Sequence, residues 1–286
     1  MSFTSGYFSA KTLLKIEDYN NLSKLDSEQF FNYLRTLGFS TNNDIENLYL
    51  NEHLKLRSDL EKFASEEVRN FFYVSYDSLN IKQVYKSIKT NKKYLFHPLG
   101  IIGENAIYNA LKHQDYTLLK EEDKFIFDNI HSNQHLNFKE MSDLIDNLII
   151  TKKAMFANTK ELKTYLKTEV TLTNILIILR SIKLNLKTPL LPGGYFELSD
   201  VKEIIENEER FQHYLSKLFV GHLEKLSLNN LEKLFMELKV AFYEIIRQIT
   251  YTEEGIVLSY VYKKFIELEN LKKLYIYKNM EELIIL

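Results

Sequence analysis

Apolar residues recur at steps of three and four along most of this 286-residue chain, the spacing that lines one face of a helix. In "DSEQFFNYLRTLG", Asp26 stands as N-cap and Gln29 completes a capping box. Phe30, Tyr33, Leu34 and Leu37 form the apolar face, and Gly38 offers a left-handed stop. "SDVKEIIENEERFQHYLSKLF" sets Val201, Ile204, Ile205, Phe211, Leu215 and Leu218 against a carboxylate-rich face, and "SLNNLEKLFMELKVAFYEIIRQI" repeats the scheme from Ser227. "GIVLSYVYKKF" is rich in β-branched residues, yet Leu258, Val261, Phe265 and Leu268 keep the helical period. No segment alternates as a strand does, and 3 prolines and 8 glycines leave few turns. The pattern predicts an all-α protein.

Three of these helices carry an asparagine in line with the buried face: Asn80 in "SLNIKQVYKSI", Asn174 in "TNILIILRSI" and Asn270 in "ENLKKLYIYKN". They are spaced 94 and then 96 residues apart, each close to a third of the chain. One position on stand Ile81, Ile175 and Leu271; four on stand Val84, Ile178 and Leu274; four before stand Tyr76, Val170 and Ile266. A half-buried amide needs partners, and the backbone of a neighbouring segment is the expected one. A second echo follows the first two copies, "HPLGIIGENAIYNAL" and "TPLLPGGYFELSDV". Here Pro98 matches Pro189, and Gly103 matches Gly194 as a stop before the next helix. The alternative is coincidence in a chain rich in Asn and Leu, against which the shared order of Pro and Gly argues. The repeat implies three similar helical units, 1–92, 93–187 and 188–286, that do not fold alone because no Pro/Gly/Ser-rich linker separates them.

Charge and candidate chemistry narrow the function. The 37 basic and 39 acidic residues are interspersed and sum to −2, a poor footprint for nucleic acid. With 0 cysteines there is neither disulfide nor thiolate chemistry. The opening "MSFTSGYFSAKTLLKIEDYNN" lacks a basic start before an apolar stretch, so a secretory leader is not expected. The longest apolar run, "NILIILRSI", falls far short of the roughly 20 residues that span a bilayer, so no transmembrane segment is expected. His131 and His135 share a helical spacing without a third ligand and read as solvated surface. Gly193 and Gly194 lack the Lys-Ser/Thr ending of a phosphate loop. Asp143 with Asp146, and Glu208 with Glu209, read as polar helix faces, and "KTNKK" at residues 89 to 93 as a solvated loop. No catalytic, cofactor or metal-binding residue is expected.

"GYFSAKTLLKIEDYNNLSKL", followed by "QFFNYLRTLGFS", resembles the opening of the C-type stalk subunit of the A/V-type rotary ATPases, the counterpart of the d-type subunit of the eukaryotic V-ATPase. "YDSLNIKQVYKSI", "TLTNILIILRSIKLNLKTPLLPGGYF" and "ELENLKKLYIYKNMEEL" look like that family's three Asn-containing helices. In the last, Tyr277, Lys278 and Asn279 stand where the family has a Gly-Lys turn. The resemblance implies a pseudo-threefold funnel and no catalytic chemistry. It implies a central-stalk adaptor that receives the axle of subunits D and F and rests on the membrane rotor ring of proteolipids. The chain would then lie peripherally at the cytoplasmic face, transmitting torque for ion transport, with the choice of sodium or hydrogen ion belonging to the ring. Two other classes compete: a helical scaffold binding a peptide in a concave groove, whose usual repeats of roughly 30 to 50 residues are shorter than this one, and an all-α enzyme with a ligand in its cavity.

Overall fold

The computed structural model describes residues 3–184, 190–195, 213 and 231–286, and these contain helices but no strand. Apart from His213, the segment "SDVKEIIENEERFQHYLSKLF", where a helix is expected, and the position of Pro189 lie outside the described residues. Two compact units emerge. One comprises residues 1–64, 171–186 and 195–286; the other comprises 65–170 and 187–194.

The first unit holds α1 (Phe3–Ala10), α2 (Ile16–Ser23), α3 (Ser27–Thr36), α4 (Ile45–Phe63), α11 (Leu231–Arg247) and α12 (Glu253–Tyr277), with a single 3-10 turn at Met280–Glu282. Helix α3 starts where its cap demands: the Asp26 carboxylate accepts from the Gln29 N–H at 2.8 Å. It stops at Gly38, whose φ of +86° lies in the left-handed region that favours glycine. Helix α12 is the axis of this unit, packed by α1, α2, α4 and α11. It is therefore apolar around much of its circumference, with Val257, Leu258, Val261, Leu268, Leu271 and Leu274 all buried. That explains why "GIVLSYVYKKF" is β-branched yet helical. Thr252 caps it through the Gly255 N–H. Phe30, Phe31, Leu34, Leu48 and Leu22 meet the C-terminal half of α12 in one core.

In the second unit lie α5 (Glu66–Tyr73), α6 (Ser75–Thr90), α7 (Glu104–His113), α8 (Glu121–Ser132) and α9 (Phe138–Phe156). Helix α10 (Lys160–Leu184) belongs to this unit through Val170 and to the first from Thr171. Helix α9 packs against α5, α6 and α8, while α7 lies on α6. Asn137 opens α9 with a complete capping box to Glu140. Tyr165 closes the core edge-on against Phe71 and Phe72, centroids 5.6 and 5.3 Å apart. Helix α6 ends at Asn91, in the left-handed conformation at φ +52°, and the chain then turns back along the helix it has just left.

Candidate functional site: buried clamps on returning segments

Asn80 is fully buried on α6. Its amide donates to the His97 carbonyl at 2.9 Å and its carbonyl accepts the His97 N–H at 2.7 Å, so both backbone groups of one loop residue are satisfied by one side chain. Asn270, 1% exposed on α12, does the same with Ile284: Nδ2 to the carbonyl at 2.7 Å and the N–H to Oδ1 at 2.9 Å. Asn174 is likewise 1% exposed, on α10.

One helical turn before each asparagine stands a second acceptor that the apolar period alone does not reveal. Asp77 takes the N–H groups of Ile101 and Ile102 at 2.8 and 3.0 Å on a single oxygen. The Thr171 hydroxyl takes the N–H of Tyr195 at 2.7 Å, at the same separation of 24 residues as Asp77 from Ile101. Glu267 takes the N–H of Leu14 at 2.7 Å. This register places Gly194 opposite Gly100, and Pro192 opposite Pro98, rather than pairing Gly194 with Gly103. Gly100 has a clear constraint: a Cβ there would lie 2.6 Å from Asn80 Nδ2 and 2.8 Å from Asp77 Oδ1. Gly103 has open space around it and serves as the residue before α7.

Two of these acceptors are charged, and each sits in a buried group of two carboxylates on one ammonium. Lys152, 1% exposed, lies 3.5 Å from Asp77 and pairs closely with Asp123. Lys264 lies 2.6 Å from Glu267 and 2.9 Å from Glu52. Burial pushes the Asp77 carboxyl up to about 6, against the pull of Lys152 and of the Ile102 and Ile101 N–H groups. Burial pulls the Lys264 ammonium down, but Glu267 and Glu52 outweigh it and hold the group above its ordinary value.

The remaining candidates serve local structure. His131 Nε2 lies 2.8 Å from the Ala110 carbonyl and Nδ1 meets Gln134, while His135 is exposed. Among the described residues no group of His, Asp and Glu could hold a metal ion. Asp146 accepts from Ser78 at 2.6 Å and from Lys82 at 2.5 Å, tying α9 to α6 rather than serving solubility alone. Glu208 and Glu209 lie outside the described residues. A cavity of about 90 Å³ in the first unit is lined by Lys11, Glu52, Asp59 and Lys264. Its charges are committed to one another, Lys11 to Asp59 at 3.1 Å and Lys264 to Glu52.

Fold and site together define a helical protein whose buried polar side chains grip its own returning backbone. The chain belongs to the ATP synthase (C/AC39) subunit family, whose model matches residues 9–278. A comparison with curated proteins gave no match. Among the described residues no helix is long and apolar enough to cross a membrane.

Proposed function

We propose that this chain is the central-stalk adaptor of an A/V-type rotary ATPase, joining the axle made by subunits D and F to the membrane rotor ring and passing torque between them without catalysis of its own. The observation that carries this reading is the family match over residues 9–278, nearly the whole chain. The clamps support it physically. A body under torque must resist shear between its helices and the irregular segments that connect them, and a buried side chain bonded to both groups of a loop residue opposes that sliding directly. In this reading Asn80, Asn174 and Asn270 mark three related units, 1–92, 93–187 and 188–286, set in a pseudo-threefold funnel, with Gly100 and Gly194 at matching places after the first two. The chain sits peripherally at the cytoplasmic face, and the coupling ion, hydrogen or sodium, is selected by the ring.

The test compares two activities in one preparation. In a complex stripped of this chain, ATP hydrolysis by the soluble head should persist while ATP-driven ion uptake into reconstituted vesicles fails. Adding back the purified 286-residue chain should restore uptake. Full uptake without it would overturn the adaptor role, and loss of hydrolysis would move its role into the head.

A further inference from the structure

The buried cluster of the second unit is out of electrical balance. Asp77, Asp123 and Lys152 are all buried, two carboxylates for one ammonium, so the group carries an uncompensated negative charge whenever both acids are ionised. Among the described residues, the other charged side chains on the elements around it are engaged elsewhere or exposed. On α9, Lys153 is committed to Glu169 at 2.6 Å, and Asp146 to Ser78 and Lys82 of α6. On α8, Lys124 pairs with Glu121, and on α5, Arg69 is bonded to Glu66 and Asn70. Glu104, Lys112 and His113 of α7 are exposed. His97, on the segment that crosses α6, stacks on Tyr76 with centroids 4.5 Å apart, and burial lowers the affinity of its ring for a proton. The geometry then selects the acid that can take up the missing positive charge. Lys152 pairs closely with Asp123 but lies 3.5 Å from Asp77 Oδ2, at the limit of a hydrogen bond. Asp77 Oδ1 is filled by the Ile101 and Ile102 N–H groups, which a carbonyl oxygen would still accept, so Oδ2 is the atom for the proton. Thr171 holds the Tyr195 N–H with a hydroxyl, so gripping a crossing segment does not of itself require an ionisable group.

We propose that Asp77, with Lys152 and Asp123, is a proton-operated latch on the segment 97–102. With a proton on Oδ2 the cluster is neutral and the segment stays closed over it. Loss of that proton to solvent leaves a buried negative charge, which the segment relieves by opening and admitting water. The segment is the part that yields because α6, α8 and α9 satisfy their backbone internally, whereas 97–102 is irregular and tied to α6 by the side chains of Asn80 and Asp77. Burial pushes the Asp77 carboxyl from its ordinary 3.8 up to about 6, with Asp123 adding to the push and Lys152 and the two N–H groups opposing it. The closed form therefore binds the proton more tightly than an open, water-exposed one. Opening becomes easier as the pH rises from about 4 through 6. This inference stands independently of the stalk reading.

The experiment follows amide exchange of Ile101 and Ile102 in the full chain between about pH 4.5 and pH 7.5, corrected for the hydroxide dependence of exchange itself. Their opening constant should rise at least about tenfold over that range. It should exceed that of Ile149, buried on α9, and respond little to urea below about 1 M, as a local opening does. Asp77→Asn keeps an acceptor for both N–H groups and cannot ionise, so its opening constant should vary less than about twofold with pH. Asp123→Asn leaves Lys152 to Asp77 alone, and the rise should move to lower pH. The Asp77 carboxyl, followed by isotope-edited NMR, should titrate with the same midpoint as the opening. A flat opening constant in the natural chain, a rise that persists in Asp77→Asn, or exchange with the urea dependence of whole-unit unfolding would each overturn the latch. If Asp77→Asn does not fold, Asp123→Asn and the carboxyl titration decide: a midpoint that stays unmoved overturns it, and one that falls supports it.

Discussion

Replacing Asn270 by Leu and, separately, Asn80 by Leu should give unequal losses of stability, and the inequality is what the structure dictates. Leucine keeps the approximate volume of the amide and removes its hydrogen bonds, so the cost comes mainly from the backbone groups left behind. At Asn270 those groups belong to Ile284, which is 2% exposed. Its N–H and carbonyl would lose partners held at 2.9 and 2.7 Å with no route for water to replace them. An orphaned buried group costs about 1–3 kcal/mol, and the gain from burying the apolar side chain offsets part of two such losses, leaving about 3 kcal/mol. At Asn80 the groups belong to His97, which is only half-buried. Water can reach them, so only the net worth of the exchanged bonds disappears, about 1 kcal/mol.

Urea unfolding followed by circular dichroism reads the totals; with a slope of about 3 kcal/mol/M, Asn270→Leu should lower the midpoint by about 1 M. Because the chain forms two compact units, amide exchange at Ile284 and His97 reads each clamp separately. Exchange at each amide should quicken only in the variant that removes its own asparagine. Equal losses in the two variants, or less than about 1 kcal/mol at Asn270, would refute the argument that burial of the gripped residue sets the cost.

Three further outcomes follow from the same contacts. Gly100→Ala should cost about 2 kcal/mol in urea unfolding, because a methyl group would press on Asn80 Nδ2 and Asp77 Oδ1 at 2.6 and 2.8 Å and force the loop off α6. Lys152→Met should cost about 3–5 kcal/mol at neutral pH by leaving Asp77 and Asp123 buried without their shared ammonium, whereas the same change at exposed Lys86 should fall within about 0.5 kcal/mol. The Asp77 carboxyl, pushed up to about 6 by burial, lies above its ordinary 3.8, so its contribution to stability is complete below about pH 3.8 and is lost as the pH rises through 6. Relative to Asp77→Asn, the natural chain should therefore lose about 2 kcal/mol between about pH 4 and pH 7 in urea titrations, and a flat difference would show that Asp77 does not bind a proton in that range.

Much of this was legible in the sequence, and the gaps have physical causes. The helical period, the Asp26 cap and the Gly38 stop depend on residues within a few positions of one another, so local pattern was enough to find them. The buried faces of Asn80, Asn174 and Asn270 followed from the same period. Their bonding partners did not, because His97 and Ile284 lie 17 and 14 residues further on, at distances set by different turns. Lys152 and Lys264 were hidden by their residue type: in a chain with 37 basic residues a lysine reads as surface unless its carboxylates are already known, and Asp77 lies 75 residues from Lys152. Gly100 was passed over because its constraint is a close approach between segments and not a positive φ.

The acceptor one turn before each asparagine was within reach of the repeat, and it accounts for where the buried charges sit. Asp77, Thr171 and Glu267 do the same work, taking backbone N–H groups of a segment that crosses the helix, but each meets a different demand. Two N–H groups converge on Asp77, which favours a full negative charge over a hydroxyl. Glu267 is one methylene longer and bonds a residue from the other end of the chain, Leu14. A carboxylate at these depths needs a cation, and Lys152 and Lys264 supply it from α9 and from one turn back on α12. Thr171 is neutral and imposes no such requirement. The choice between acid and hydroxyl at this position therefore decides whether a buried lysine must exist elsewhere in the fold, and substituting one without the other should be costly in either direction.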